Sequence, residues 1–188
     1  MVVCGIDEAG RGPLAGPVLV SGVIMGNDIS IEGIRDSKKL TSSKREELFD
    51  KIIECAKYYE IKLIDVETID NINILKSCMV GAENIMNKLS KYCDKFLIDG
   101  NYLKFDEDRQ QNFNYETIVK GDDKIYEISC ASILAKVTRD RMMLKYDEQY
   151  PEFGFKTNKG YGTKKHIEAI LKYGPCAIHR KTFLKNII

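Results

Sequence analysis

The sequence predicts an α/β fold, a mixed sheet flanked by helices. Three observations carry this. Short apolar runs alternate with stretches of helical periodicity, the pattern of strands interleaved with helices. A Gly/Pro-rich turn joins the first two runs, so the chain opens with a hairpin and the sheet is not purely parallel. Composition is that of a folded domain: 188 residues, 44% hydrophobic and 30% charged. No apolar run approaches the ~18 residues that a membrane span needs.

Each element has its own signal. Val2–Ile6 and Val18–Met25 read as buried strands, with Ala9–Pro17 as the turn between them. Ser43–Tyr58 is helical, with Leu48, Phe49, Ile52, Ile53 and Ala56 on one face and Ser43 with Glu46 as a capping box. Glu60–Ile64 alternates like a strand. Over Ile74–Leu89, eight apolar residues from Ile74 to Leu89 recur at helical spacing, and Asp70, Asn71 or Asn73 can cap that helix. Phe96–Ile98 and Tyr115–Val119 are short strands. Ser129–Tyr146 reads as a long helix and Tyr150–Tyr161 as a loop. Thr163–Tyr173 is a helix capped by Thr163 and stopped by Gly174-Pro175.

Charge is unevenly spread. Residues Lys136–Ile188 hold 12 Lys and Arg against 5 Asp and Glu, while residues 1–135 hold 17 against 23. A basic C-terminal region of this kind suits a polyanion, although a solvated lysine-rich face would read the same way. Six cysteines form no C-x-x-C pair, which argues against zinc. Asp7-Glu8 stands where a signal peptide would carry its apolar stretch. A cytoplasmic protein with reduced thiols is therefore expected.

Four carboxylates fall at strand ends. Asp7 and Glu8 follow the first predicted strand, Asp99 follows Phe96–Ile98, and Asp122 follows Tyr115–Val119. Any one of them could be an ordinary turn former or helix cap. Together at one sheet edge, they would repel one another and call for a cation. Hard oxygen donors favour Mg²⁺ or Mn²⁺. An all-carboxylate site with open positions suits two-metal phosphodiester hydrolysis, one ion activating water and the other stabilising the leaving oxygen. Gly10-Arg11-Gly12-Pro13-Leu14-Ala15-Gly16 matches neither a Walker loop nor G-x-G-x-x-G. Beside Asp7-Glu8, its backbone could grip a sugar or a phosphate.

Gly5-Ile6-Asp7-Glu8-Ala9-Gly10-Arg11-Gly12-Pro13-Leu14-Ala15-Gly16-Pro17 resembles the signature of ribonuclease HII, the type 2 ribonucleases H. The resemblance continues, in order, through Asp36-Ser37-Lys38-Lys39-Leu40, Ile72–Leu75, Ile98–Asn101, Lys120-Gly121-Asp122, Ile128–Asp140, Lys159–Thr163 and His179–Phe183. It implies an RNase H-like fold. One domain spans 1–188, with an α/β core over about 1–150 and a helical portion over 151–188 packing on it. It also implies an endonuclease that cuts the RNA strand of RNA–DNA hybrids and incises beside single ribonucleotides in duplex DNA, leaving 3′-hydroxyl and 5′-phosphate ends. By the same resemblance, Asp7, Glu8, Asp99 and Asp122 hold two Mn²⁺ or Mg²⁺ ions. The Gly10-Arg11-Gly12 backbone contacts the 2′-hydroxyl and adjoining phosphates, Tyr161 stacks on the junction sugar, and Lys38 lies near the substrate phosphates. Asn73, Ser132 and Lys136 are lesser candidates for backbone contact.

Other positions carry plainer expectations. His166 reads as solvated on a surface helix, His179 as a structural contact, and Arg139 with Asp140 as an ion pair on a helix face. A monomer is expected, and no tail for a replication clamp is recognisable. Two alternatives differ in kind. A hybrid-binding module without catalysis would gain nothing from four carboxylates beside a phosphate, and a type 3 ribonuclease H usually carries an extra N-terminal domain.

Overall fold

The structure, a computed structural model, describes residues 1–26, 29–34, 40–101 and 113–188. Lys38 and most of its surrounding block lie outside the described residues. Five strands form one sheet: β1 (Val3–Ala9), β2 (Val18–Met25), β3 (Ala56–Ile64), β4 (Lys95–Asp99) and β5 (Tyr115–Ile118). Their spatial order is β3-β2-β1-β4-β5. The first three strands are antiparallel neighbours, and β1, β4 and β5 run parallel. The mixed sheet is as the sequence predicts.

Helices cover both faces. α1 (Ser42–Cys55), α2 (Val66–Ile72) and α3 (Ile74–Leu89) precede β4, and α4 (Gly121–Lys124), α5 (Tyr126–Gln149), α6 (Phe155–Asn158) and α7 (Lys164–Tyr173) follow β5. On one face α3 packs Ala82, Ile85, Met86 and Leu89 against Cys4, Ile6, Val20, Ile24, Phe96 and Ile98. On the other, α1 and α5 pack Leu48, Ile52, Ile133 and Leu134 against Val23 and Met25. All eight residues of β2 are buried, as expected of a strand covered on both sides. At Gly5, a Cβ would lie 2.2 Å from the Glu127 backbone, so only glycine lets β1 approach α5 this closely.

Several boundaries differ from the sequence reading. β1 runs on to Ala9 because its pairing with β2 continues through Asp7↔Ser21 and Glu8↔Val20 to Ala9↔Leu19. Asp7 and Glu8 are therefore inside the strand, not after it. α1 is capped by Thr41, whose hydroxyl accepts from the Lys44 N–H, and not by Ser43. β3 takes over at Ala56, where the sequence reading continued the helix to Tyr58. The separate helix α2 escaped the sequence reading, being only seven residues long. Asn73 sits at φ 67° between α2 and α3 and caps the latter through Oδ1.

The last part of the chain has a core of its own. Met143, Phe153, Phe155, Ile170, Ile178 and Leu184 surround Ala15 of the β1–β2 connection. His166 is fully buried there, not solvated, edge-on to Phe153 and Phe155. Its partner is His179, with the two Nε2 atoms 3.0 Å apart. The Cys176 N–H donates to His179 Nδ1 at 2.9 Å, so His179 carries its proton on Nε2 and donates it to His166. His166 then carries its proton on Nδ1 and donates to the Tyr161 carbonyl at 2.8 Å. Both rings are neutral in this chain.

Burial lowers the pKa of His166, and burial together with His166 lowers that of His179 to about 4. An unfolded imidazole titrates at roughly 6.5. The unfolded chain thus takes up protons first on acidification. Stability from the pair is whole above about pH 6.5 and declines as pH falls toward 4. Thermal denaturation at pH 5 should show a loss of about 2 kcal/mol from His179 relative to pH 7. His179→Gln should flatten that part of the pH dependence.

Candidate active site

The site follows from strand register. β1 and β4 are parallel and pair up to Ile6↔Ile98, so the next residues, Asp7 and Asp99, come side by side at the same sheet edge. β5 pairs with β4 up to Asp99↔Ile118, and the chain then turns through Lys120, at φ 56°, into α4. The Gly121 N–H donates to Asp99 Oδ1 at 2.6 Å, holding α4 against the end of β4. Asp122 is thereby delivered to the same place, and the Ser129 hydroxyl bonds its backbone carbonyl at 2.6 Å. Carboxylate oxygens of Asp7, Asp99 and Asp122 all lie within 4.8 Å of one another. Asp123 is exposed.

Asp7 and Asp122 are buried and Asp99 is half-buried. Burial, then the Glu8 and Asp99 carboxylates, push the Asp7 pKa well above the usual carboxylate range. Hydrogen bonds from Ser132 and from the Glu8 N–H, at 2.7 Å, oppose that rise only in part. Three oxygen donors converging under mutual repulsion are what a hard divalent cation would relieve. The donor set fits such an ion.

Glu8 joins the site differently. Its carboxylate lines the same cavity but reaches Arg11 Nη1 at 3.5 Å. A cavity of about 300 Å³ is lined by Asp7, Glu8, Asp99, Ser132, Lys136, Arg139, Tyr161 and the Gly10-Arg11-Gly12 turn. Gly10 has φ +102°, a conformation that glycine tolerates and other residues rarely adopt. Gly12 faces the Tyr161 ring, whose Cε1 would stand 3.6 Å from a Cβ there. Tyr161 is 47% exposed.

The structure thus brings together Asp7, Glu8, Asp99, Asp122, Gly10, Arg11, Gly12 and Tyr161, with Ser132 and Lys136 beside them. Asn73 does not line the cavity and is occupied in capping α3. The expected Arg139–Asp140 ion pair is absent. Asp140 pairs with Lys136 at 2.7 Å, one helical turn away. Arg139, fully buried, donates instead to the carbonyls of Ala15, Pro17 and Lys159 at 2.9–3.0 Å. Sequence reasoning missed Arg139, Arg180 and the histidine pair. Arg139, His179 and Arg180 lie in recognised blocks and His166 does not; an arginine whose partners are backbone carbonyls has no partner residue type to find.

A mixed sheet with an all-aspartate cluster at its edge, a glycine turn against it and cationic residues alongside defines a ribonuclease H-type nuclease. The model of the ribonuclease HII family matches residues 4–186, and the chain belongs to that family. It is 50% identical over 186 residues to ribonuclease HII of Caldicellulosiruptor saccharolyticus, covering 99% of this chain and 88% of that one. The crystal structure of ribonuclease H2 from Pyrococcus horikoshii OT3 superposes with a TM-score of 0.78 at 30% identity, covering 100% of this chain and 97% of the other. The ribonuclease HII in the PCNA complex from Archaeoglobus fulgidus gives a TM-score of 0.78 at 26% identity, covering 96% and 94%. The chain is a ribonuclease H endonuclease that acts on RNA–DNA hybrids.

Repulsion inside the aspartate cluster has a measurable consequence. Asp7→Asn removes one of the opposed charges while preserving shape. In chelator at neutral pH the variant should melt no lower than the parent protein, and up to about 1 kcal/mol more stably. Differential scanning calorimetry with and without Mg²⁺ would test this, because added ion should raise the melting point of the parent more than that of the variant.

Proposed function

We propose that the enzyme hydrolyses the RNA strand of hybrids, and incises beside single ribonucleotides in duplex DNA, by two-metal-ion chemistry that leaves 5′-phosphate and 3′-hydroxyl ends. The observation that carries this reading is the aspartate cluster within 4.8 Å, set directly against a left-handed glycine turn and an exposed tyrosine. Asp7, Glu8, Asp99 and Asp122 would hold the Mn²⁺ or Mg²⁺ ions. When bound, such ions supply an activated water and a Lewis acid for the leaving oxygen.

The chain's own residues do the rest. Arg11 and Gly12 offer backbone N–H groups to the sugar and phosphates at the cut. Tyr161, opposite Gly12, offers a ring face to the sugar. Only the 2′-hydroxyl separates a ribonucleotide from a deoxyribonucleotide at one site, so a clamp of fixed width is what recognition needs. Ser132 orients the Asp7 carboxylate. Lys136 and the exposed Lys165, Lys172 and Lys185 supply phosphate contacts; among the described residues none of these last three has a carboxylate within 4.0 Å. Lys38 is read as a further phosphate contact on resemblance alone.

Residues 1–188 are read as one working unit, because the C-terminal portion packs on the connection that forms the turn. We read the enzyme as a monomer. Its six unpaired thiols suit a reducing cytoplasm, and among the described residues no helix is long and apolar enough to cross a membrane.

Cleavage of a labelled duplex carrying one ribonucleotide tests the proposal. With Mn²⁺ or Mg²⁺ it should be cut beside the ribonucleotide, and EDTA should abolish the reaction. Asp7→Asn, Asp99→Asn and Asp122→Asn should each lower kcat by about 10²-fold or more. A duplex left uncut with either ion would refute the junction reading. Hybrid affinity, measured by fluorescence anisotropy, should fall about tenfold or more between 50 and 200 mM salt.

A further inference from the structure

Arg180 has no role in the chemistry above, yet it is among the most completely buried residues in the protein. Its guanidinium donates only to backbone carbonyls: Nη2 to Gly10 at 2.6 Å and Pro17 at 3.3 Å, Nη1 to Arg11 at 3.0 Å, and Nε to Gly16 at 2.9 Å. Among the described residues no carboxylate lies within 4.0 Å of it. Burial, then the neighbouring Arg139, lower its pKa to about 9. Burying two guanidiniums side by side without counter-ions is unfavourable, and packing alone would be better served by apolar residues.

Which carbonyls Arg180 selects is informative. A trans peptide is planar, so the C=O of one residue and the N–H of the next point in opposite directions. With the Gly10 and Arg11 carbonyls aimed at Arg180, the N–H groups of Arg11 and Gly12 are turned away from it. Both residues line the acidic cavity. A carbonyl that accepts from a cation also polarises its own amide, which makes the N–H a stronger donor. The planar fork of arginine fixes both peptides at once, whereas an ammonium would not. Its neighbour His179 reaches the opposing jaw of the clamp, the Tyr161 carbonyl, through His166.

We infer that Arg180 is a positioning residue for the reaction: by anchoring the Gly10 and Arg11 carbonyls it presents the Arg11 and Gly12 N–H groups to the sugar and phosphate oxygens at the cut. This rests on the reading of the glycine turn as the nucleotide grip.

The test compares the parent enzyme with Arg180→Lys on two substrates, a uniform RNA–DNA hybrid and a duplex with one ribonucleotide. Kinetics are normalised to folded protein by circular dichroism. Arg180→Lys should lower kcat about tenfold to 100-fold with KM within about threefold, because misplaced donors spoil alignment more than encounter. Methylguanidinium should restore part of the activity of Arg180→Ala. If these variants do not fold, hydrogen exchange on the cleavage-silenced Asp122→Asn protein decides: bound hybrid should slow exchange of the Arg11 and Gly12 amides relative to the protein alone. Unchanged kcat per folded molecule on both substrates, or Arg11 and Gly12 amides that hybrid leaves unaffected, would overturn the inference. Should the parent cut the hybrid but not the single-ribonucleotide duplex, the junction reading falls while Arg180 is still judged on the hybrid.

Discussion

Parallel pairing between β1 and β4 is the constraint on which the rest of the structure depends. It sets Asp7 beside Asp99, although the two are distant in the chain. Parallel strands present their ends on one side of the sheet, so loops leaving those ends converge. β5 extends the arrangement by one strand, and α4 returns Asp122 into the gap. The cluster is costly for the protein alone, because burial and proximity both oppose ionisation of Asp7. That cost is an expected property of a site organised around a divalent cation.

The glycine turn is held just as firmly, by different means. Its conformation at Gly10 and Gly16 is strained for ordinary residues, and its Leu14, Ala15 and Gly16 N–H groups donate to the Gly160 and Ile178 carbonyls. Two buried guanidiniums accept the task, reaching carbonyls from Gly10 through Pro17 and at Lys159. Arg139 comes from the middle of α5 and Arg180 from the far end of the chain. The catalytic edge of the sheet and the C-terminal portion are thereby coupled through one short segment, and the neutral histidine pair extends the coupling to Tyr161.

α5 shows why helices of this kind resist sequence reading. It carries Ser129 against Asp122, Ser132 against Asp7, Lys136 beside the cavity and Arg139 beneath the turn. Polar groups with work to do interrupt the apolar face, and burial on several sides removes the clean stripe of a surface helix. The 24-residue element therefore extends beyond both ends of the Ser129–Tyr146 span that periodicity picks out. His166 fails for the same reason. Charged neighbours in sequence made it look exposed, but its one inward direction on α7 meets Phe153, Phe155 and His179.

By itself the sequence determined the α/β class, the opening hairpin, most strands and helices, and that acidic residues cluster near the ends of its strands. These are local matters: periodicity, turn chemistry and residue type act over a few positions. Tertiary structure alone decided that Asp7, Asp99 and Asp122 meet while Glu8 turns toward Arg11, that Asp122 and not Asp123 faces inward, and that Arg139 and Arg180 hold the turn. Those outcomes depend on strand register and on backbone carbonyls as partners. Register is fixed only when strands distant in the chain bring their apolar faces together, and a carbonyl is the same at every residue, so neither can be read from one local segment.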